Sequence, residues 1–376
     1  MRIAVNTIFL QKDQLEGYGY FVQEVCRRWV LQHPEHEFIF LFDREYDPSF
    51  IFSANVKAVV VKPKARHALS FKWWYDVKLP VVLRSVKADV VLQPYGFCSS
   101  TSHVPQLLMV HDLAFIHHPQ FIPKHHLWYY KLFTGSFIRT AKRMATVSAF
   151  SKQDIIQHYK TAADKIDVVY SAAKPVFQPI HSFEKTQSVK DRFADGREYF
   201  LFVGGIHPRK NLFTLLKAFS KFKKWQRSNM KLLVAGRLAW QYDDILEKLK
   251  TYKYREDVVM LDYVKEDTLA EIMASAYALV FPSYFEGFGV PLLEAMQSGV
   301  PVITGNSSSL PEIAGEAALF ADPDDDEALS QHMIRLYKDE ALRNLLIAKG
   351  FERAAHFSWD RTADLLWQSL MATARA

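Results

Sequence analysis

The chain has 376 residues, 49% of them apolar and 23% charged, with 14 Gly, 16 Pro and two cysteines; this is globular composition and excludes disordered, collagen-like and low-complexity classes. No stretch approaches the ~18 uncharged apolar residues that span a bilayer, the opening MRIAVNTIFLQKD lacks the cleavage site of a secretion signal, and Cys26 and Cys98 alone build neither a disulfide framework nor a cysteine zinc site. The net charge of +6 is uneven, with 22 basic against 14 acidic residues in 1–180 and 25 against 27 in 181–376, so an anionic partner is expected on the first half, in a reducing cytoplasm.

Apolar runs rich in Val, Ile, Leu and Phe occur at 2–6, 37–42, 57–62, 89–92, 106–110, 144–147 and 166–169. A second series follows at 199–203, 231–235, 258–263, 278–281, 301–304 and 317–321. Runs apolar throughout, without period-two alternation, suit strands buried on both faces of parallel sheets covered by helices. Two such series imply two Rossmann-like, doubly wound α/β domains, placed at 1–175 and 189–357. The seam lies in AAKPVFQPIHSFEKTQS, residues 172–188, where Pro175 and Pro179 interrupt the pattern. After Phe357, SWDRTADLLWQSL reads as a terminal helix, 358–376, with Ser358 or Asp360 as its cap. It is a candidate to dock on the first domain, although nothing in its spacing requires that.

Basic and aromatic residues interleave at 62–84 (Lys62, Lys64, Arg66, Lys72, Trp73, Trp74, Lys78, Arg84) and at 124–143 (Trp128, Tyr129, Tyr130, Lys131, Arg139, Lys142, Arg143). Such stretches suit peripheral contact with an anionic membrane, or else a core of aromatics beneath a solvated cationic face; no recognised nucleic-acid module accompanies them. His111-Asp112 follows an apolar run, at the strand end where open α/β sheets keep their sites. Imidazole there suits donating a hydrogen bond to a sugar or help with an acceptor proton; a structural histidine beside an Asp helix cap is the alternative. His117, His118, His125 and His126 form adjacent pairs, which do not face one metal on a helix, so no zinc site is expected.

In YFLFVGGIHPRKNLFTLLKAF, residues 199–219, a buried strand runs through Gly204-Gly205 into a loop with Arg209 and Lys210, then an amphipathic helix. Strand, glycine turn and helix N-terminus suggest phosphate, with two cations to neutralise it; neither a dinucleotide fingerprint nor a Walker loop is present. In FPSYFEGFGVPLLEAMQSGVP, residues 281–301, a strand leads through Gly287 and Gly289 into a helix with Pro291 in its first turn. Glu286 before the turn and Glu294 inside the helix are acceptors suited to the hydroxyl pairs of a ribose or a sugar ring. The alternative makes Glu294 a helix-dipole partner and Glu286 a solvated loop residue. The run Asp322-Pro-Asp324-Asp325-Asp326 reads as a helix cap rather than a metal-binding pair.

Together, FPSYFEGFGVPLLEAMQSGVPVITGNSSSLPEIAGEAALFADPDD, FVGGIHPRKNL, VHDLAFIHHP, TVSAFSKQDI and VVYSAAKPVF resemble the retaining, nucleotide-sugar-dependent glycosyltransferases of family 4. These are glycosyl transferases group 1, with GT-B fold and a Glu-x7-Glu mark. The resemblance implies two Rossmann-like domains facing a cleft. Arg209 and Lys210 would hold a donor diphosphate and Glu294 the ribose hydroxyls. Glu286, with the backbone of Phe288 and Gly289, would hold the donor sugar, and backbone at Tyr263 and Val264 would meet the base. His111 would contact the sugar at the reacting centre, and Gly17-Tyr18-Gly19 resembles a glycine loop that closes over the phosphates. Two departures stand out: Gly205 where many relatives carry Arg, and Ser171-Ala172 where Asn-Gly is usual. The implied activity is metal-independent hexosyl transfer from a nucleotide sugar to a glycan or lipid-linked acceptor, with no cofactor beyond the donor. The PRKN form of the diphosphate loop points first to a GDP-sugar such as GDP-mannose. A nucleotide-sugar 2-epimerase, a sugar phosphorylase and a non-catalytic nucleotide-sugar-binding protein share the architecture.

Overall fold

Uninterrupted apolar runs become strands whose two faces are both covered. The computed structural model describes residues 1–376 except 13, 14, 16, 65–67, 228, 238–246, 248 and 376, so Arg66 lies outside the described residues. Seven strands, β1 (Arg2–Asn6), β2 (Glu37–Phe42), β3 (Val56–Val60), β4 (Val90–Gln93), β5 (Gln106–Met109), β6 (Arg143–Thr146) and β7 (Ile166–Val168), form a parallel sheet in the order β3-β2-β1-β4-β5-β6-β7. Six more, β8 (Tyr199–Val203), β9 (Lys231–Ala235), β10 (Val258–Asp262), β11 (Ala278–Phe281), β12 (Val302–Gly305) and β13 (Ala318–Ala321), form a second in the order β10-β9-β8-β11-β12-β13. Every pairing in both sheets is parallel. Both orders run outward from the first strand and then reverse, which is the doubly wound pattern; the reversal leaves a crevice at the C-terminal strand ends, between β1 and β4 in one sheet and β8 and β11 in the other.

By their contacts the residues fall into two units, Met1–Ser171 with Ser358–Ala376, and Ala172–Phe357. The first therefore ends at Ser171 rather than at 175. Residues 172–188 are not a free connector: Lys174 pairs with Glu266, Phe177 is buried, and the helix Phe183–Ala194 begins inside the segment with Ser182 accepting from Lys185 N at 3.1 Å.

The terminal helix Trp359–Arg375 packs on the first unit against the helix Gly17–Gln32. Trp29 Nε1 donates to Ala363 O at 2.9 Å, Arg28 Nε to Asp360 Oδ1 at 2.6 Å, and the Trp367 and His33 rings stack at 3.7 Å. Its Leu366 and Leu370 are fully buried, and Ser358 Oγ accepts from Arg361 N. In the second unit, Leu215, Phe219 and Phe222 of the helix Leu212–Gln226 pack with Phe200, Phe202, Leu232 and Val280 into one core.

Candidate active site

The crevice of the second sheet gathers the charged residues of two loops. β8 ends at Val203, and Gly204 turns the chain toward a single 3-10 turn, Pro208–Lys210, whose first residues are fixed when Arg209 N donates to His207 Nδ1 at 3.0 Å. The neighbouring β9 makes this possible by close backbone approach: a Cβ on Gly236 would stand 1.9 Å from Gly204 O, so only glycine fits. β11 ends at Phe281, and the loop after it carries Glu286.

The two loops are stitched together. Tyr284 N donates to Arg209 O at 2.9 Å, the Arg209 guanidinium to Phe285 O, and Ser283 Oγ to Glu286 Oε1 at 2.6 Å. Lys210 Nζ donates to Glu286 Oε1 at 2.7 Å, with Arg209 Nη1 at 3.3 Å from the same oxygen. Burial alone would lift the Glu286 carboxyl, but the two cations and the hydrogen bonds from Lys210 and Ser283 outweigh it and hold it below the usual carboxylate range.

Behind Glu286 lies a serine collar that sequence reading passed over. Ser308 Oγ accepts from Glu286 N at 2.9 Å, and Ser309 Oγ donates to the carbonyls of Glu286 and Phe288 at 2.8 and 3.0 Å. NSSSL is polar and short, and only the long-range contacts reveal its use.

Gly289, at φ 101°, sits just before the helix Val290–Gln297 in left-handed backbone that disfavours any side chain. One turn on, Glu294 is 6% exposed and accepts no side-chain hydrogen bond among the described residues. Burial lifts its carboxyl to about 7, with Lys174 opposing the rise and Glu266 adding to it. Tyr263, just past β10, is 59% exposed, and the Arg237 guanidinium lies 4.1 Å from its ring centre. Ile206 N donates to Arg237 O at 2.8 Å, so this cation–ring platform is anchored to the loop after β8. Arg237, like the serines, was not singled out from sequence.

In the first unit, His111 follows β5. Its Nε2 donates to Pro94 O at 2.8 Å, which leaves Nδ1 with the lone pair in the neutral ring. Burial holds the imidazole below its ordinary value against the opposing pull of Pro94 O and Asp112, which favours that neutral form. Of the two roles read from sequence, donating a hydrogen bond to a sugar is closed, because Pro94 O takes the ring's one N–H; the Nδ1 lone pair leaves help with an acceptor proton available, and also allows a hydrogen bond to be accepted there. Asp112 Oδ1 accepts from Ala114 N at 2.9 Å, a turn contact one residue before Leu113, which caps the short helix Ala114–His117. Gly17 and Gly19 are not in a loop: they form the first turn of the helix Gly17–Gln32. A Cβ on Gly19 would come within 2.7 Å of Phe9 O, and the Tyr18 ring between the glycines lies 4.4 Å from the His111 ring.

The histidine pairs separate. His117 meets Asp154 and His158, a grouping that the reading of adjacent pairs missed because its members come from two segments. The basic–aromatic stretches also divide: Trp74, Tyr75 and Tyr129 are core, whereas Trp73, Val77, Val81, Trp128 and Leu132 are exposed.

The sequence profile "Glycosyltransferase Family 4" matches residues 15–174, and "Glycosyl transferases group 1" matches residues 183–353. The chain belongs to the family 4 glycosyltransferases. It is 34% identical over 251 residues to the O-antigen chain mannosyltransferase B of Escherichia coli, covering 66% of each chain. To the O-antigen chain mannosyltransferase RfbU of Salmonella typhimurium (strain LT2) it is 29% identical over 264 residues, covering 68% of each. The structure of Anabaena Alr3699/HepE in complex with UDP-glucose has the same fold, with a TM-score of 0.76 at 13% identity over 99% of this chain and 100% of that one. The two parallel sheets of this family 4 chain are thus those of the GT-B fold.

Proposed function

We propose that this chain is a retaining glycosyltransferase that moves a hexose from a nucleotide diphosphate sugar, GDP-mannose being the first choice, to a glycan or lipid-linked acceptor without a divalent metal at the diphosphate. The observation that carries this reading is the convergence of Lys210 and Arg209 on Glu286 at the reversal point of the second sheet.

Breaking a glycosyl–phosphate bond leaves the electron pair on the diphosphate and positive charge on the sugar ring. Catalysis therefore requires fixed cations at the leaving group. Lys210 and Arg209 supply them, exchanging Glu286 for the diphosphate, while Glu286, released from its ion pair, accepts hydrogen bonds from the sugar. Glu294 takes the ribose hydroxyls, the Tyr263–Val264 backbone meets the base, the backbone of Phe288 and Gly289 lines the sugar, and Gly17 and Gly19 seat the first helix turn that holds Tyr18 on His111. His111 Nδ1 accepts a sugar hydroxyl. Metal independence is supported by the engagement of the acidic run: Asp325 Oδ1 accepts from Ala328 N, Asp324 from Tyr284 Oη, and Asp326 pairs with Lys221. Likeness to two mannosyltransferases favours mannose, and the UDP-glucose complex of the same fold favours a nucleotide sugar.

A membrane-linked acceptor is consistent with the exposed Trp73, Val77 and Val81, spaced four apart, and with Trp128 and Leu132, with Lys78 Nζ 4.9 Å from the Trp73 ring centre. No described helix is long and apolar enough to cross a bilayer.

Incubation with UDP-, GDP-, ADP- and TDP-sugars, with the anomeric configuration of the product read by NMR, tests the reading. An α-linked product from GDP-α-mannose in the presence of EDTA supports it. Release of an altered sugar nucleotide without acceptor identifies the 2-epimerase instead, and a thermal shift with no turnover identifies a binding protein. Dependence on manganese refutes metal-independent transfer.

A further inference from the structure

We infer that His117, Asp154 and His158 form a binding site for a divalent transition-metal cation, zinc first, that fastens the segment behind His111 to the helix Ala149–Tyr159. Asp154 and His158 lie four apart on that helix and so share a face. His117 closes the short helix Ala114–His117. Its Nε2 is 2.8 Å from Asp154 Oδ1, and His158 Nδ1 is 3.0 Å from the same oxygen. One ligand atom from each of the three lies within 4.8 Å of the others. Tetrahedral zinc with bonds of about 2.0–2.1 Å needs ligand atoms about 3.3 Å apart, a change that side-chain rotation supplies.

A second observation points to a ligand. Asp154 is 6% exposed, yet its Oδ2 is buried with no hydrogen-bond partner among the described residues. A buried carboxylate oxygen left unmet costs free energy, and a cation held by both oxygens removes that cost. Two imidazoles and one carboxylate suit zinc and its first-row neighbours rather than magnesium or calcium, which prefer all-oxygen sets. Both rings keep about a third of their surface exposed, at 32% and 29%, so an ion has a way in and water a free position.

Binding requires the ring tautomers that place lone pairs on His117 Nε2 and His158 Nδ1. The protons move to the other ring nitrogens and none is released by the neutral rings. The bond from His158 Nδ1 to Asp154 O, 3.0 Å long, is given up. The site's role is structural. Ser151 Oγ of the same helix already donates to His111 O at 3.3 Å, and the cation adds a second tie six residues further along the chain.

Equilibrium dialysis of the full chain, freed of any affinity tag, against zinc chloride, with bound metal read by mass spectrometry, tests the site. About one equivalent of zinc per chain is expected, with a rise in Tm of about 5 °C at a hundredfold excess over Kd and a visible cobalt spectrum typical of a four- or five-coordinate site. His117→Gln and Asp154→Asn should each remove the bound zinc and the Tm rise, whereas His125→Gln should keep both. His158→Gln is the second variant should Asp154→Asn fail to fold. No zinc bound by the wild-type chain, or binding that survives in the folded variants, overturns the proposal.

Discussion

Lys210 Nζ stands 2.7 Å from Glu286 Oε1, so the cation proposed for the diphosphate is held by the carboxylate proposed for the sugar. Both side chains are largely buried, at 15% and 11% exposure, and a charge left alone there has no water to turn to. Lys210→Met is therefore expected to cost about 3 kcal/mol, and Lys210→Met with Glu286→Gln less than the sum of the two. A double-mutant cycle by denaturant unfolding should return a coupling of about 1–3 kcal/mol. Strictly additive values would show that the pair is not coupled.

Glu294 makes the stability of the fold depend on pH. Its carboxyl is raised to about 7 by burial, so the folded chain binds a proton that the unfolded chain has lost above its ordinary value near 4.5. This contribution is fully present at low pH and is lost as pH rises from about 4.5 to 7. Glu294→Gln removes the loss, and at pH 8 the variant should be more stable than wild type by up to about 3 kcal/mol, the equivalent of a shift of that size. At pH 4 the two should melt together. Equal melting differences at both pH values would contradict the assignment.

His111 is held through Nε2 by Pro94 O and lies against the Tyr18 ring. His111→Ala should lower kcat by about 10²–10³-fold in a chain that still folds, with a Tm reduced only by the loss of the Pro94 O and Tyr18 contacts. Tyr18→Ala should also lower kcat, by less, through loss of ring placement. Near-normal turnover of a folded His111→Ala enzyme would remove the residue from the reaction.

The exposed apolar side chains Trp128 and Leu132 lie four apart on the helix Lys124–Thr140. Co-sedimentation with anionic vesicles at low salt should fall sharply in Trp128→Ser/Leu132→Ser and weaken in the wild type as salt rises. Wild-type protein that stays in the supernatant at low salt would dismiss membrane contact.

The two sheets were legible because parallel strands buried on both faces leave continuous apolar runs, such as FIFLF in β2 and YFLFV in β8. Arg209, Lys210, Glu286 and Glu294 were legible because each sits within a few residues of a strand end or helix start, where local pattern speaks. What stayed hidden depends on distance along the chain. Ser308 and Ser309 serve a backbone 21 to 23 residues earlier, and His117 meets Asp154 across 37. Gly17 and Gly19 were read as a loop from their resemblance to the family's glycine loop, which the low helix propensity of glycine does not oppose. Packing of Gly19 against Phe9 O overrides that propensity.

The loops after β8 and β11 are proposed to neutralise a nucleotide diphosphate with the fixed cations Arg209 and Lys210. Calorimetric titration of GDP and UDP into wild type, Arg209→Ala and Lys210→Ala, in EDTA, tests it most directly. One nucleotide should bind the wild type in the micromolar range and each variant at least about 100-fold more weakly, a loss of about 2.7 kcal/mol. Unchanged affinity in folded Lys210→Ala would contradict the account.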